Sequence, residues 1–410
     1  MLEATLKKLR EVGLSSPEEK VPFITDEPKI PNFLTLPNEV AQKKYSTDGN
    51  HGQGYHFNED LSRIKSIAEY LERLCLDNPD KRKLTIDSFK ENSNMFDPAL
   101  FCCYSDAQVG SKRDFMEKAR LGKYSWFRVK DLVNRREKLI PAQMVFLSDV
   151  FKEEFGIRRE GISTGAALGE IGANRAFDSG LLEAIERDSC IYAYLSRKNL
   201  PRIVGLRGDV KGLEEYLNRY NLEVFVFDAT SDLEVPTAIS VVVDRTGLGP
   251  AVDVGSASDF TYGGAIYKSI LESIQCRRHA RIFNEGSFSE GVPREDEIFS
   301  LEDRFIYWQP TERIEDLKFW LETEREVSYS SLESKINNSK DALKKLKGKG
   351  FNIFEADITI PEVRMHGFEV KKIIVPELHP LYLDERSKAL YSAHYGEIDE
   401  DKILKPHPLT

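Results

Sequence analysis

A short pattern recurs three times in this chain, and each copy sets two oxygen-bearing side chains three residues apart inside an otherwise apolar stretch. The copies read Lys65-Ser66-Ile67-Ala68-Glu69-Tyr70-Leu71-Glu72-Arg73, Ser179-Gly180-Leu181-Leu182-Glu183-Ala184-Ile185-Glu186-Arg187 and Lys268-Ser269-Ile270-Leu271-Glu272-Ser273-Ile274-Gln275-Cys276. Their apolar spacing predicts a helix for each, and positions i and i+3 of a helix share a face. Glu69 with Glu72, Glu183 with Glu186, and Glu272 with Gln275 are therefore expected side by side. The copies begin 114 and 89 residues apart, which makes them three elements of one fold and not a stacked repeat.

A lone pair of acids at this spacing is ordinarily a solvated helix face. Here the neighbours, such as Leu181, Leu182 and Ile185, are apolar enough to bury most of each segment. Buried carboxylates in close pairs repel and lose their hydration, so they need cations or protons. Hard oxygen ligands of this kind suit magnesium, which binds through one or two carboxylates, waters and phosphate oxygens. Arg73, Arg187, Arg277 and Arg278 follow the acidic groups and can meet phosphate oxygens with forked hydrogen bonds. A nucleoside triphosphate with bridging metal answers both signs of charge; salt bridges among these same residues are the alternative. The chain has no Gly-x-x-x-x-Gly-Lys-Ser/Thr loop, and residues 49–54, though glycine-rich, read as a turn. The seven histidines show no zinc-ligand spacing.

A net charge of −10, with no basic run recognised to offset it, argues against a nucleic-acid partner. Leu2, Leu6 and Leu9 mark a short amphipathic helix at the amino terminus rather than a signal core, and no stretch is long enough to span a bilayer. Five cysteines without a C-x-x-C pair fit burial as thiols in a reducing, cytoplasmic setting. Prolines 17, 22, 28, 31 and 37 predict an extended, surface-hugging lead-in from Leu14 to Lys44, which with that helix makes up residues 1–44. Beyond it strands and helices alternate, with strands expected at residues 201–207, 222–228, 237–244, 352–358 and 369–375, and helices at 211–221 and 331–347. Residues 284–303 are polar and breaker-rich and read as a long loop. The fold class is α/β in the mixed sense.

At these residues the chain resembles the YcaO family of ATP-dependent enzymes. The most specific part is Ser163-Thr164-Gly165-Ala166-Ala167-Leu168-Gly169 followed by Gly180-Leu181-Leu182-Glu183-Ala184-Ile185-Glu186-Arg187-Asp188, similar to the family's Ser-Asn-Gly-x-x-x-Gly stretch and G-L-x-E-x-x-E-R helix. The resemblance implies a YcaO domain over residues 45–400, with three glutamate-bearing helices around a central nucleotide cleft that holds ATP and Mg2+. By position it implies metal contacts at Glu69, Glu72, Glu183, Glu186 and Glu272, and nucleotide contacts at Lys65, Ser66, Arg187, Gln275 and Arg277. Lys65 departs from the serine that members often carry there, with Ser66 one residue later.

Family members activate a backbone amide by phosphorylating its oxygen. A neighbouring Cys, Ser or Thr side chain then gives an azoline, and external sulfide gives a thioamide. The tail, residues 401–410, resembles that of azoline-forming cyclodehydratases, which implies catalytic roles for Pro406, His407, Pro408 and Thr410; a frayed terminus is the alternative. Leu378-His379-Pro380-Leu381-Tyr382 adds to that likeness. The expected substrate is a ribosomally made precursor peptide. Some 45 residues ahead of the domain are too few for a leader-binding domain, so a separate leader-binding partner is expected; monomer or homodimer is left open. A non-catalytic scaffold is the reading from another class.

Overall fold

Asn58 opens the first glutamate helix by accepting a hydrogen bond from the Leu61 amide at 3.0 Å, and Glu59 and Asp60 in the first turn complement the helix dipole. In the computed structural model, which describes residues 2–91, 93–147, 149–158, 164–287, 291–403 and 405–409, this helix runs Glu59–Asp77. The second runs Arg175–Leu195 and the third Tyr262–Ser287, so all three repeat copies are helical as their spacing predicts. No helix among the described residues is long and apolar enough to cross a membrane.

The chain divides into two compact units. One comprises Met1–Cys102, Asp106–Ala184 and Leu346–Glu377, and the other Cys103–Ser105, Ile185–Lys345 and Leu378–Thr410. In the first, Glu19–Lys20, Asn32–Thr35 and Gly52–Tyr55 form an antiparallel three-stranded sheet. A six-stranded antiparallel sheet follows the order Thr85–Ser88, Lys123–Asp131, Phe354–Asp357, Phe368–Ile374 and Ala166–Glu170, with Arg136–Pro141 pairing beside Lys123–Asp131. Leu6, Leu9, Ile67, Leu71, Trp126, Phe354 and Val370 belong to one core there. In the second unit the sheet order is Val252–Ser258, Thr237–Asp244, Leu222–Asp228, Arg202–Val204 and Glu326–Ser328, antiparallel except for the last pair. Every residue of Thr237–Asp244 is buried, which explains its continuous β-branched run.

Several expectations need adjusting. The proline-punctuated lead-in is extended only as far as Asn38, which caps a short helix over Glu39–Lys44, and Asn32–Thr35 is a buried middle strand rather than a surface segment. Residues 52–55 form a strand and not a turn. The helix expected over 331–347 starts only at Ser339, because the Asn338 side chain accepts from the Lys340 amide at 3.0 Å and caps it there. That helix also carries Lys340, Lys344 and Lys347 on its exposed side, a concentration of basic residues that the overall charge hides. Within 284–303 the third glutamate helix continues to Ser287, and a capping box between Ser300 and Asp303 starts a helix over Leu301–Tyr307. The five cysteines are buried and unbridged.

Glycine sets how closely the strands approach the glutamate helices. A Cβ on Gly52 would lie 2.1 Å from the Ser66 carbonyl oxygen, and one on Gly54 1.7 Å from that of Ser62. Gly255 repeats the arrangement against Ser269 at 2.3 Å. Backbone cannot yield cheaply to such contacts. We expect Gly54→Ala to lower stability by about 3 kcal/mol in denaturant titrations, whereas Gly212→Ala, with nothing within 4 Å in its helix, should be neutral or slightly stabilising. An unshifted midpoint for Gly54→Ala would contradict this reading of the packing.

Candidate functional site

The close approach has a direct consequence for the repeated acids. With Gly52 and Gly54 against the first helix, the Gln53 amide donates to Glu69 Oε2 at 2.7 Å. At the second helix, Gly180 comes so near Gly165 that a Cβ would lie 2.3 Å from its carbonyl oxygen, and the Gly165 amide donates to Glu183 Oε2 at 2.8 Å. At the third, Gly255 admits the helix and the Ser256 amide donates to Glu272 Oε2 at 2.8 Å. The leading glutamate of every copy is thus held by a backbone N–H outside its own helix.

In the first unit these glutamates come with a third carboxyl. Burial, then Glu183 and Glu69, push the Glu72 carboxyl well above the ordinary carboxylate range, and Arg73 and Lys372 only partly oppose them. Glu72 keeps some accessible surface, yet protein crowds its carboxyl on all sides. Arg73 reaches Glu69 Oε1 at 2.7 Å. Lys372 is 1% exposed and donates to the Val145 carbonyl at 3.0 Å. Burial draws its ammonium down to about 7, with Glu183 and Glu72 pulling upward and Arg158 downward.

The second unit holds the remaining acids. Glu186 is 8% exposed and accepts from the Ser256 hydroxyl at 2.7 Å and the Ser258 amide at 3.2 Å. Arg187 lies 3.6 Å from Glu186 and 3.8 Å from Glu272, so this glutamate pair shares one guanidinium. Gln275 is half-buried one turn beyond Glu272. Among the described residues no three His, Cys, Asp or Glu side chains gather closely enough to hold a metal alone.

Other expected contacts are placed differently. Arg277 is 3% exposed and spends its donors on Asp244 at 2.7 Å, Asp253 at 3.4 Å and the Pro250 carbonyl at 2.6 Å. The phosphate contact expected of it gives way to a buried ion pair. Ser66 is fully buried and bonds Thr35 and the Arg63 carbonyl, both at 2.8 Å, so it packs helix on sheet; Lys65 is exposed. Ser163 and Thr410 lie outside the described residues. Asp188, which ends the second motif, turns from the glutamates to accept from the His379 amide at 2.7 Å and lies 2.8 Å from His394 Nδ1, tying the 378–382 motif to the second helix.

The tail is not frayed: Pro406, His407, Pro408 and Leu409 are all buried. His407 donates from Nε2 to the Tyr382 carbonyl at 2.7 Å, and burial, with Arg304 nearby, holds its imidazole well below its ordinary value. The fully buried ring, with that nitrogen engaged, anchors the segment.

The profile described as YcaO cyclodehydratase, ATP- and Mg2+-binding, matches residues 53–379. This chain belongs to the YcaO family. ATP and Mg2+ are its cofactors, and the buried, mutually repelling acids above fit a cation. Among solved structures this YcaO protein is similar to a heterocyclase in complex with substrate and cofactor, at 16% identity and a TM-score of 0.75, over 99% of this chain and 57% of the other. It therefore spans little more than half of that chain. It is also similar to YcaO from Methanopyrus kandleri bound with AMPPCP and Mg2+, at 18% identity, TM-score 0.66, covering 92% and 91%. A third is the E. coli microcin synthetase McbBCD complex with pro-MccB17 bound, at 17% identity, TM-score 0.68, covering 96% of each chain. Those likenesses establish the shared mixed α/β fold. No curated protein sequence matches the chain.

Sequence reasoning missed Gln53, Ser256, Ser258 and Lys372. Extending the repeat upstream finds the first two, since Gly52-Gln53 and Gly255-Ser256 precede Glu69 and Glu272 at the same spacing of 16 residues. A lysine within the apolar run 368–374 was the signal for Lys372.

Glu72 yields a prediction with opposite signs. Its folded-state value is raised above that of the unfolded chain, so its contribution is intact below the ordinary carboxylate range and is lost as pH rises through the folded value. In metal-free protein, Glu72→Gln should raise the melting temperature at neutral pH and flatten its fall with pH. The same variant should lose the stabilisation that Mg2+ with a non-hydrolysable ATP analogue gives the wild type. Thermal denaturation across pH, with and without both ligands, reads both effects; a metal-free variant that melts lower than wild type at neutral pH contradicts the assignment.

Proposed function

We propose that this YcaO protein activates a backbone amide of a ribosomally made peptide and forms azoline rings from its Cys, Ser or Thr residues. The observation that carries the reading is the threefold fixing of Glu69, Glu183 and Glu272 by backbone amides outside their own helices. Carboxylates held rigidly before any ligand arrives are suited to positioning a metal–nucleotide pair, because little reorganisation is left to the reaction. ATP supplies the phosphoryl group that turns an amide oxygen into a leaving group, and Mg2+ neutralises its charge.

The chain's own part is to bind and orient. Glu69, Glu72, Glu183, Glu186 and Glu272 are assigned to Mg2+, while Lys65, Arg187 and Gln275 are assigned to the nucleotide. Ser66 and Arg277 support the same elements from inside. Arg187 lies 3.6 Å from Glu186 and 3.8 Å from Glu272, and a guanidinium is suited to forked hydrogen bonds with phosphate oxygens. Pro406, His407, Pro408 and Thr410 are assigned to catalysis on the resemblance to cyclodehydratases, with His407 or the terminal carboxylate accepting the proton. The substrate side of the proposal draws on neighbours described as holding substrate or pro-MccB17. A leader-binding partner is proposed from the multiprotein McbBCD assembly, and a cytoplasmic setting from the buried, unbridged cysteines.

Two measurements test this reading. Isothermal titration of a non-hydrolysable ATP analogue with Mg2+ should show affinity falling by about tenfold or more in the Glu183→Gln, Glu186→Gln variant, since each change removes a full charge from a cation's surroundings. Equal affinity would remove the acids from the site. ATP consumption should be slow for the protein alone and rise with precursor peptide and partner together, and mass spectrometry should show loss of water for each residue modified. Exchange of oxygen for sulfur would make the product a thioamide, and an unchanged peptide with idle ATP would make the protein a scaffold.

A further inference from the structure

The segment Lys405–Leu409 carries two prolines and therefore offers its surroundings mostly carbonyl oxygens, having lost two backbone donors. Burying such a segment requires donors from elsewhere, since an unpaired buried carbonyl is costly. Two buried side chains supply them. The Tyr194 hydroxyl, on the second glutamate helix, lies 3.3 Å from the Lys405 carbonyl and 3.2 Å from that of Pro406. Arg304, on the Leu301–Tyr307 helix and only 1% exposed, donates from Nη1 to the His407 carbonyl at 2.5 Å. Its Nη2 donates to the Leu383 carbonyl at 2.6 Å and to Glu385 at 2.8 Å.

One guanidinium thus joins the His407 backbone, the chain at Leu383 and a buried counter-charge. The His407 imidazole meets the neighbouring Tyr382 carbonyl, with the two rings edge to face at 4.6 Å. Hydrogen bonds to backbone carbonyls read position and not side-chain identity. They hold the segment in one register whatever side chains it carries. A lysine could not do the same, because the two carbonyls and the carboxylate lie around a planar fork that an ammonium lacks.

We propose that Arg304, neutralised by Glu385, is the positioning residue for the 405–409 segment, and that amide activation depends on it although its hydrogen bonds go to the chain's own carbonyls and to Glu385. The proposal deepens the cyclodehydratase reading and rests on it for the activity, but the anchoring can be read without any substrate. Removing Arg304 alone strands Glu385 in the interior, so the primary variant is Arg304→Met with Glu385→Gln. Hydrogen exchange of the whole protein should show the amides of Lys405, His407 and Leu409 exchanging about tenfold faster or more, while the buried strand Thr237–Asp244 of the same unit keeps its protection. With precursor and partner, kcat should fall about tenfold or more with the KM for ATP within about twofold, and Arg304→Lys should lie between variant and wild type. If the double variant also loses protection in Thr237–Asp244, the Arg304→Lys protein decides by the same readings. A segment that stays protected, or a loosened segment with unchanged kcat, overturns the proposal. Absence of peptide turnover in the wild type would instead sink the cyclodehydratase reading, and hydrogen exchange would still decide the anchor.

Discussion

The interaction on which the site depends is a backbone amide of a strand or loop donating to a glutamate on a helix, made three times. A helix face can present a carboxylate, but a glutamate side chain has three torsions and no fixed direction of its own. A backbone N–H is among the most rigid donors a protein has, because strand pairing holds it in place. At the first and third copies the price is that the strand residue facing the helix must be glycine, since Gly52 and Gly255 would otherwise meet helix backbone near 2 Å. The glycines, the amide and the glutamate form one device, and its parts are 16 residues apart in sequence at both places. At the second copy Gly165 does two jobs. Its φ of +88° allows the turn before the Ala166–Glu170 strand, and its amide holds Glu183.

The copies are not equivalent, and the difference lies in charge. The first unit collects Glu69, Glu72 and Glu183, whose mutual repulsion is offset by Arg73 and the buried Lys372. In the second unit glutamine replaces the trailing acid of the third copy, and Arg187 is shared between Glu186 and Glu272. Carboxylates that repel favour a cation, whereas a guanidinium already near two acids favours an anion. Within the first unit the charges therefore suit a metal ion, and within the second a phosphate group.

Much of this was legible in the sequence. The three helices followed from apolar spacing, and the strands at 222–228 and 237–244 from β-branched runs, since local periodicity reports burial of an element's face. The partners of the glutamates were harder to see because their signal is an absence, a missing Cβ at Gly52 or Gly255, and becomes visible only when the repeat is extended upstream. The inward placement of Arg277 and Ser66 was hidden for a related reason. A residue type tells what it can bond to, but Asp244 and Asp253 lie 33 and 24 residues from Arg277 and claim it first through the sheet they belong to.

Arg277 and Arg304 show how much a buried arginine's role depends on what it faces. Both are nearly inaccessible and both are neutralised by buried carboxylates, so both resist removal for the same electrostatic reason. Arg277 satisfies Asp244, Asp253 and the Pro250 carbonyl, linking the two strands that flank that turn; it stiffens a single sheet. Arg304 bonds carbonyls at Leu383 and His407, 24 residues apart along the chain and in different segments. The first fixes what strand pairing already fixes in large part. The second fixes a segment that has no sheet or helix of its own, so its position has few other sources, and function that depends on that position must depend on the arginine.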